Sequence, residues 1–314
     1  MKVLIKLWMA CLILLIGTAC QEKKTDKEWY LFSSFHEPAD GGLRFLYSED
    51  GVHWDSISGT WLKPELGQKI LRDPSILRDK EGTFHLVWTI AWRGDTGFGY
   101  ASSKDLIHWS DQQRIPAMDS IASTVNVWAP ELFYDDENDQ YLIIYASCVV
   151  DAHFELGVED ELNNHRLYCV KTKDFQTFSK PELFYDPGFS VIDAILIKRA
   201  PGDYVMVLKD NTRPNRNLKV AFASSAEGPY SPASEAFTEN FVEGPTATKV
   251  GDDYYIYFDV YEKKIFGAMK TQDFVHFTDM TDSIRVPEGH KHGTICRAPE
   301  SIIKALIEKA NENK

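Results

Sequence analysis

Five side chains have the types and surroundings for acid–base chemistry: Asp73, Glu131, Asp193, Glu243 and His292. Each of the four acids sits near the head of a short apolar run, followed by a polar turn and an aromatic-rich run. The runs read LRDPSIL then FHLVWTIAW, WAPELFYDDENDQYLIIYAS, SVIDAILIKRAPGDYVMVLKD and VEGPTATKVGDDYYIYFDV. Several carboxyl groups facing one pocket suit glycoside hydrolysis. That reaction needs a protonated acid for the leaving oxygen and a carboxylate acting on water or on the anomeric carbon. The two groups need environments that separate their pKa values. Asp73, beside Arg72, is expected to stay ionised, because a nearby cation favours the charged form. Glu243, between Phe241-Val242 and Gly244-Pro245, is the candidate for a raised pKa, with Asp193 orienting or tuning it. A single acid at a strand start often only solvates a loop; four in one pattern argue for a shared pocket.

The elements that must hold these acids follow from the repeat. Pro74 lacks an N–H and is expected to keep Asp73 extended at the start of a strand. The four acids are expected at equivalent places. A second marker, a strand, a polar turn and a closing aromatic, recurs as YSEDGVHW, YASSKDLIHW, VKTKDFQTF, FASSAEGPY and MKTQDFVHF. Repeats of this length with alternating aromatic and β-branched residues predict an all-β, five-bladed propeller of four-stranded blades. The first marker lacks an acid-bearing inner strand, and HKHGTIC near the end is an orphan strand. His292 to Cys296 is therefore predicted to complete the first blade and close the ring, removing two exposed edges. The expected blades are 29–56 with 290–298, 70–111, 128–180, 190–232 and 243–280. The propeller would span 29–299, and the tail 300–314 has the apolar spacing of a short helix.

The formal charge of −13 becomes −15 once Lys2 and Lys6 leave with a leader, and no basic cluster offsets it. Nucleic acid is thus excluded as a partner, and a neutral carbohydrate fits better. Lys2 and Lys6 precede an apolar run from Leu7 to Ile16 and then Gly-Thr-Ala-Cys. This reads as a signal segment (1–19) cleaved before Cys20, with a lipid on Cys20 and a linker over 20–28; a plain secretory signal is the alternative. The expected product is an exported, membrane-anchored lipoprotein, monomeric, in the periplasm or at the cell surface. Cys148, Cys169 and Cys296 are expected as buried free thiols, although Cys148 and Cys169 could lie on neighbouring strands. No zinc-type spacing occurs.

RDPSI, WAPELFYD, VIDAILI, EGPTA and HGT, in that order over Trp29 to Arg297, resemble glycoside hydrolase family 43. These are five-bladed propellers acting mostly on arabinofuranosides and xylosides with inversion. The resemblance implies that Asp73 is the general base, Glu243 the general acid and Asp193 the pKa modulator. It implies an exo-acting enzyme releasing arabinofuranosyl, xylosyl or galactosyl-type residues from plant-type polysaccharide side chains or oligosaccharides, with no cofactor required. His292 resembles the family's channel histidine, which in some members holds a metal or water; a structural calcium in the central channel is one expectation, a core histidine the other. The sucrose and fructan group is a sister alternative. Its nucleophile segment resembles WMNDPNG, whereas this chain has LFSSFHEP. A non-catalytic glycan-binding propeller is a third reading.

Further pocket candidates are Arg72 and Glu131; Trp128, stacking on a sugar or closing a blade; and Phe35 and His36, walling the pocket. Arg166 and Arg213 would bind hydroxyls or a carboxylate, or serve as structural or surface residues.

Overall fold

A computed structural model describes residues 27–150, 152 and 164–312, so the leader and Cys20 lie outside the described residues. The chain forms five antiparallel sheets around a channel, the five-bladed propeller expected from the repeats. The first blade contains β1 (Glu28–Ser34), β2 (Leu43–Ser48) and β3 (Asp55–Leu62); the second, β4 (Arg72–Arg78), β5 (Phe84–Thr89), β6 (Phe98–Ser103) and β7 (Gln113–Ile115). The third holds β8 (Trp128–Asp135), β9 (Gln140–Ser147), β10 (Arg166–Thr172) and β11 (Glu182–Tyr185). The fourth has β12 (Val191–Ala200), β13 (Asp203–Asp210) and β14 (Asn217–Ala223). Its outer edge is covered by Ser231, Ser234 and Phe237, whose N–H groups donate to carbonyls of β14. The fifth has β15 (Val242–Val250), β16 (Asp253–Val260), β17 (Ile265–Thr271) and β18 (Thr278–Asp279).

The ring closes where β19 (Ile295–Pro299) pairs antiparallel with β1, from Glu28↔Pro299 to Phe32↔Ile295. This strand starts three residues later than expected. His292 to Thr294 instead run beside the end of β1, where Ser33 N donates to Thr294 O at 3.0 Å and Lys291 bridges to Phe35. The helix α1 (Glu300–Glu312) buries Ile303, Leu306 and Ala310 in the cluster containing Trp29 and Leu31. Cys148 lies just past β9, while Cys169 in β10 faces Ile144, so the two are not opposed, and neither forms a disulfide.

The recurrent turn has a definite chemistry. Ser48, Ser103, Thr172 and Thr271 accept the N–H three residues on, at Gly51, Leu106, Phe175 and Phe274. Asp50, Asp105, Asp174 and Asp273 each accept two further turn N–H groups. The residue three on is left-handed in every case, with φ between 55° and 76°. Side chains there are buried: Phe175 of the third blade stacks at 4.1 Å on His85 of the second, and Phe274 of the fifth joins Ile195 and Val205 of the fourth. The polar turn thus aims an apolar plug at the adjacent blade, and the core sits between blades.

The inner strands share a second left-handed residue: Asp73 (φ 51°), Ala129 (45°), Asp193 (51°) and Gly244 (59°). At each one the pairing slips, between Arg72 and Ser75, Trp128 and Glu131, Ile192 and Ile195, and Glu243 and Thr246. This is a bulge in each of the four acid-bearing inner strands, whereas β19 pairs with β1 without a slip. Asp73 is therefore not extended; Pro74 disfavours the right-handed helical region but leaves the left-handed one open, which aspartate tolerates. The four acids are not equivalent either. Asp73 and Asp193 occupy the bulge, Glu243 precedes it by one residue and Glu131 follows it by two.

That offset sends Glu131 deeper. It borders a cavity of about 30 Å³ beneath Asp73 and Asp193, and also the cavity of about 370 Å³ leading to the other end of the channel. Its partners are hydroxyls: Thr294 Oγ1 donates at 3.0 Å, and Ser75 is the second. Burial pushes the carboxyl up to about 7 despite these hydrogen bonds. A raised carboxyl leaves the folded state holding a proton that the unfolded state gives up, so its unfavourable contribution grows as pH rises from about 4.3 to about 7. Glu131→Gln should therefore stabilise the protein at pH 8, by up to about 3 kcal/mol, and change little near pH 4. Urea unfolding at the two pH values measures this; equal effects at both would contradict it.

Candidate active site

The bulged ends of three inner strands meet at one mouth of the channel, bringing Asp73, Asp193 and Glu243 into one pocket with His292. Asp73 Oδ2 accepts a hydrogen bond from Thr89 Oγ1 at 2.7 Å, and its Oδ1 lies 3.0 Å from His292 Nε2. Burial alone would raise this carboxyl, but the His292 hydrogen bond, Arg72 and Thr89 hold it at about 2. It is ionised, as expected from Arg72, with His292 the larger favourable influence.

Glu243 departs from expectation. Burial would raise its pKa, yet Lys209, with Nζ at 3.1 Å, and His292 bring it down to about 2. Asp193 is the group whose pKa is raised: burial dominates, Glu243 and Asp73 add to it, and Lys209 and His292 oppose it. Asp193 Oδ2 accepts the N–H of Gly244, next to Glu243. Of this carboxyl pair, Asp193 is therefore the one that takes up a proton first as pH falls.

His292 links two blades. Its Nδ1 lies 2.7 Å from Asp259 Oδ2 and its Nε2 3.0 Å from Asp73. With a carboxylate on each nitrogen the ring is an imidazolium donating twice, and its pKa stands well above the usual value, these partners outweighing burial. Glu243, Asp259 and His292 have donor atoms close enough to share a metal ion. They do not fit one: both imidazole nitrogens are committed, Lys209 already neutralises Glu243, and Lys291 Nζ lies 3.5 Å from Asp259. Calcium takes six to eight oxygen ligands, waters among them; in the channel Glu131, Ser75 and Thr294 are the side chains that present oxygens to one another. The metal expectation for His292 gives way to a charged hydrogen-bond bridge.

Arg72 and Trp128 line the pocket, as expected. Arg72 pairs with Glu37 and lies between the Phe35 and Trp92 rings, 5.0 and 5.1 Å from their centroids. Trp128 stacks between Trp92 and His165, with centroids at 4.6 and 4.7 Å. Other candidates lie elsewhere. Phe35 is fully buried and meets His292 edge-on, supporting the pocket without lining it. His36 packs against His290 instead, at 4.4 Å. Glu131 lies below the pocket. Arg213 is exposed on the β13–β14 loop and borders neither cavity around the acids. Arg166 is fully buried, bonded to Asp186 and Asn164.

Sequence reasoning missed Thr89, Trp92, Lys209 and Asp259. Thr89, Lys209 and Asp259 lie at or near the ends of otherwise apolar second strands, opposite the bulged inner strands: Arg72↔Thr89, Ile192↔Lys209 and Glu243↔Asp259. A polar side chain ending each such run was the available signal.

Among known proteins, 160 residues of the chain are 26% identical to an α-L-arabinofuranosidase of Bifidobacterium longum subsp. longum; they make up 45% of this chain but only 15% of that protein. Among solved structures, the α-L-arabinanase of Cellvibrio cellulosa, complexed with arabinohexaose, superposes with a TM-score of 0.59 at 14% identity, covering 83% of this chain and 95% of that one. The exo-β-1,3-galactanase of Phanerochaete chrysosporium superposes with a TM-score of 0.52 at 12% identity, covering 70% and 53%. At such identities these structures speak for the fold. The family model described as a probable glycosyl hydrolase domain, of the family 43-related group, matches residues 26–300, and the chain belongs to that family.

Proposed function

We propose that the chain is an exo-acting, inverting glycoside hydrolase that releases arabinofuranosyl, xylosyl or galactosyl-type residues from plant-type oligosaccharides or side chains. The observation that carries this reading is one pocket holding an ionised carboxylate, Asp73, and two further carboxyls with opposite pKa shifts, Asp193 raised and Glu243 lowered, beside the Trp92 and Trp128 indoles. The family match and the likeness to arabinose- and galactose-cleaving enzymes support the substrate class.

In this mechanism Asp73 accepts a proton from a water as its oxygen bonds to the anomeric carbon. Glu243 gives a proton to the leaving oxygen as the glycosidic bond breaks. Glu243 acts as the acid only when it carries a proton. Asp193, the carboxyl that is raised, is its proposed proton source, and Lys209 holds Glu243 low.

Activity on a panel of nitrophenyl arabinofuranosides, xylosides and galactosides tests the proposal. Glu243→Gln should cost about 10²–10⁴-fold, and less on dinitrophenyl glycosides, whose leaving group needs no proton. Asp73→Asn should damage both kinds of substrate alike. Glycan binding without turnover by the wild type would assign a binding module instead.

Removing the cation beside Glu243 raises its pKa, so the protonated acid persists to higher pH. Lys209→Met should therefore move the basic limb of kcat/KM upward by about one pH unit or more; an unmoved limb would count against Lys209 as the tuning group.

Exported, lipid-anchored placement through Cys20 is part of the proposal and rests on the leader sequence. Cys20→Ser should shift the protein from the membrane to the soluble fraction or block its processing, and unchanged partition would speak against the anchor.

A further inference from the structure

Trp92 is half exposed, at 50%, whereas most other large apolar side chains among the described residues are covered. It lies on the β5–β6 loop at the rim of the pocket that holds Asp73 and Glu243. An exposed indole on a loop usually has a loosely held backbone, but this one is tied on several sides. Its N–H donates to Gln68 Oε1 at 2.9 Å, and its carbonyl accepts from Trp128 Nε1 at 2.8 Å. Gln68 reaches the flanking residues too: its Nε2 donates to Arg93 O at 3.0 Å and its backbone N–H to Ile90 O at 2.9 Å. The preceding residue, Gly67, is left-handed at φ 56°, and a Cβ there would fall 2.4 Å from Ile90 O, so the close approach of the two loops requires glycine.

The ring itself rests against Arg72 and Trp128, which hold equivalent places before the bulges of β4 and β8. Fixing an aromatic in place while leaving half of it in water is the arrangement of a preformed binding platform, because the ordering cost is met before the ligand arrives.

We propose that Trp92 is the platform for a second sugar, the one on the leaving-group side of the scissile bond, and that the natural substrate is therefore an oligosaccharide or glycan branch. The catalytic carboxyls lie at the inner end of the pocket, and Trp92 stands at its rim. A monosaccharide unit bound against Asp73 and Glu243 leaves the next ring beside the uncovered part of the indole. An indole is apolar, and the part of a sugar that matches it is the face where ring C–H bonds are uninterrupted by axial hydroxyls. The ligand class is a furanosyl or pyranosyl ring presenting such a face. This inference rests on the hydrolase reading and adds the position of the leaving-group sugar.

The test compares two substrates of the same glycone. The wild type is assayed on arabinobiose, xylobiose and galactobiose, and on the methyl glycoside of whichever sugar it releases. A methyl group cannot stack, whereas a nitrophenyl group can and would mask the effect. Trp92→Ala should lower the disaccharide-to-methyl-glycoside ratio of kcat/KM by about tenfold, with Trp92→Phe retaining most of it. Gln68→Ala, which frees the loop and keeps the indole, should lower the ratio in the same direction. Equal losses on both substrates would overturn the proposal and return Trp92 to a supporting role beneath Arg72. An unchanged ratio in Trp92→Ala would also overturn it, with the hydrolase reading intact. Wild-type inactivity on every glycoside would instead strike the hydrolase reading itself.

Discussion

The pocket depends on one buried cation, the His292 imidazolium held between Asp73 and Asp259. Asp73 belongs to the second blade, Asp259 to the fifth, and His292 to the segment that closes the ring beside the first. The same contact thus fastens the closure and keeps the proposed base ionised. Burying charge without a partner is costly, so the bridge also explains what surrounds it. Gly244 is left-handed, and a Cβ there would stand 1.9 Å from His292 Cγ; the imidazolium leaves space for glycine alone. Gly293 is similarly confined, with Ser33 O 2.1 Å from where its Cβ would be.

A ring of buried acids by itself would protonate. Here Asp73, Asp193, Glu243 and Asp259 are met by Arg72 of β4, Lys209 of β13, and Lys291 and His292 of the segment that closes the ring. The balance is uneven in a useful way. Asp73 has the imidazolium and the guanidinium beside it, Glu243 the ammonium, and Asp193 only more distant charges and a backbone N–H. Two carboxyls are pushed down and the third up, the separation of pKa values that acid–base chemistry at one centre requires. Glu131, with hydroxyls as its hydrogen-bond partners, stands outside this balance of charges and is raised by burial alone.

Much of this was legible in the chain. The five markers gave the blade count, the orphan HGT the closure, and the acid-headed runs the residues that converge. Register was harder. Treating the acids as equivalent placed Glu131 beside Asp73, whereas the shared reference point is the left-handed bulge. Pro74, Pro130 and Pro245 each follow that bulge residue, so aligning the prolines rather than the acids would have revealed the offsets. The state of Glu243 was out of reach from its neighbours in sequence. Phe241, Val242 and Pro245 imply a raised pKa, but the deciding charge, Lys209, lies 34 residues away across a blade boundary. Phe35 and His36 failed for a related reason: the turn after β1 sends Phe35 into the core and His36 toward His290, and loop direction has no periodic signature in the sequence.

The most direct test of the account is the configuration of the first-formed sugar, read by NMR during hydrolysis and before mutarotation. If Asp73 activates a water on the face opposite the leaving group, the initial product has the inverted anomeric configuration. A retained configuration would mean that a carboxylate attacks the sugar directly, and would contradict the base role of Asp73 and the division of labour built around His292 and Lys209.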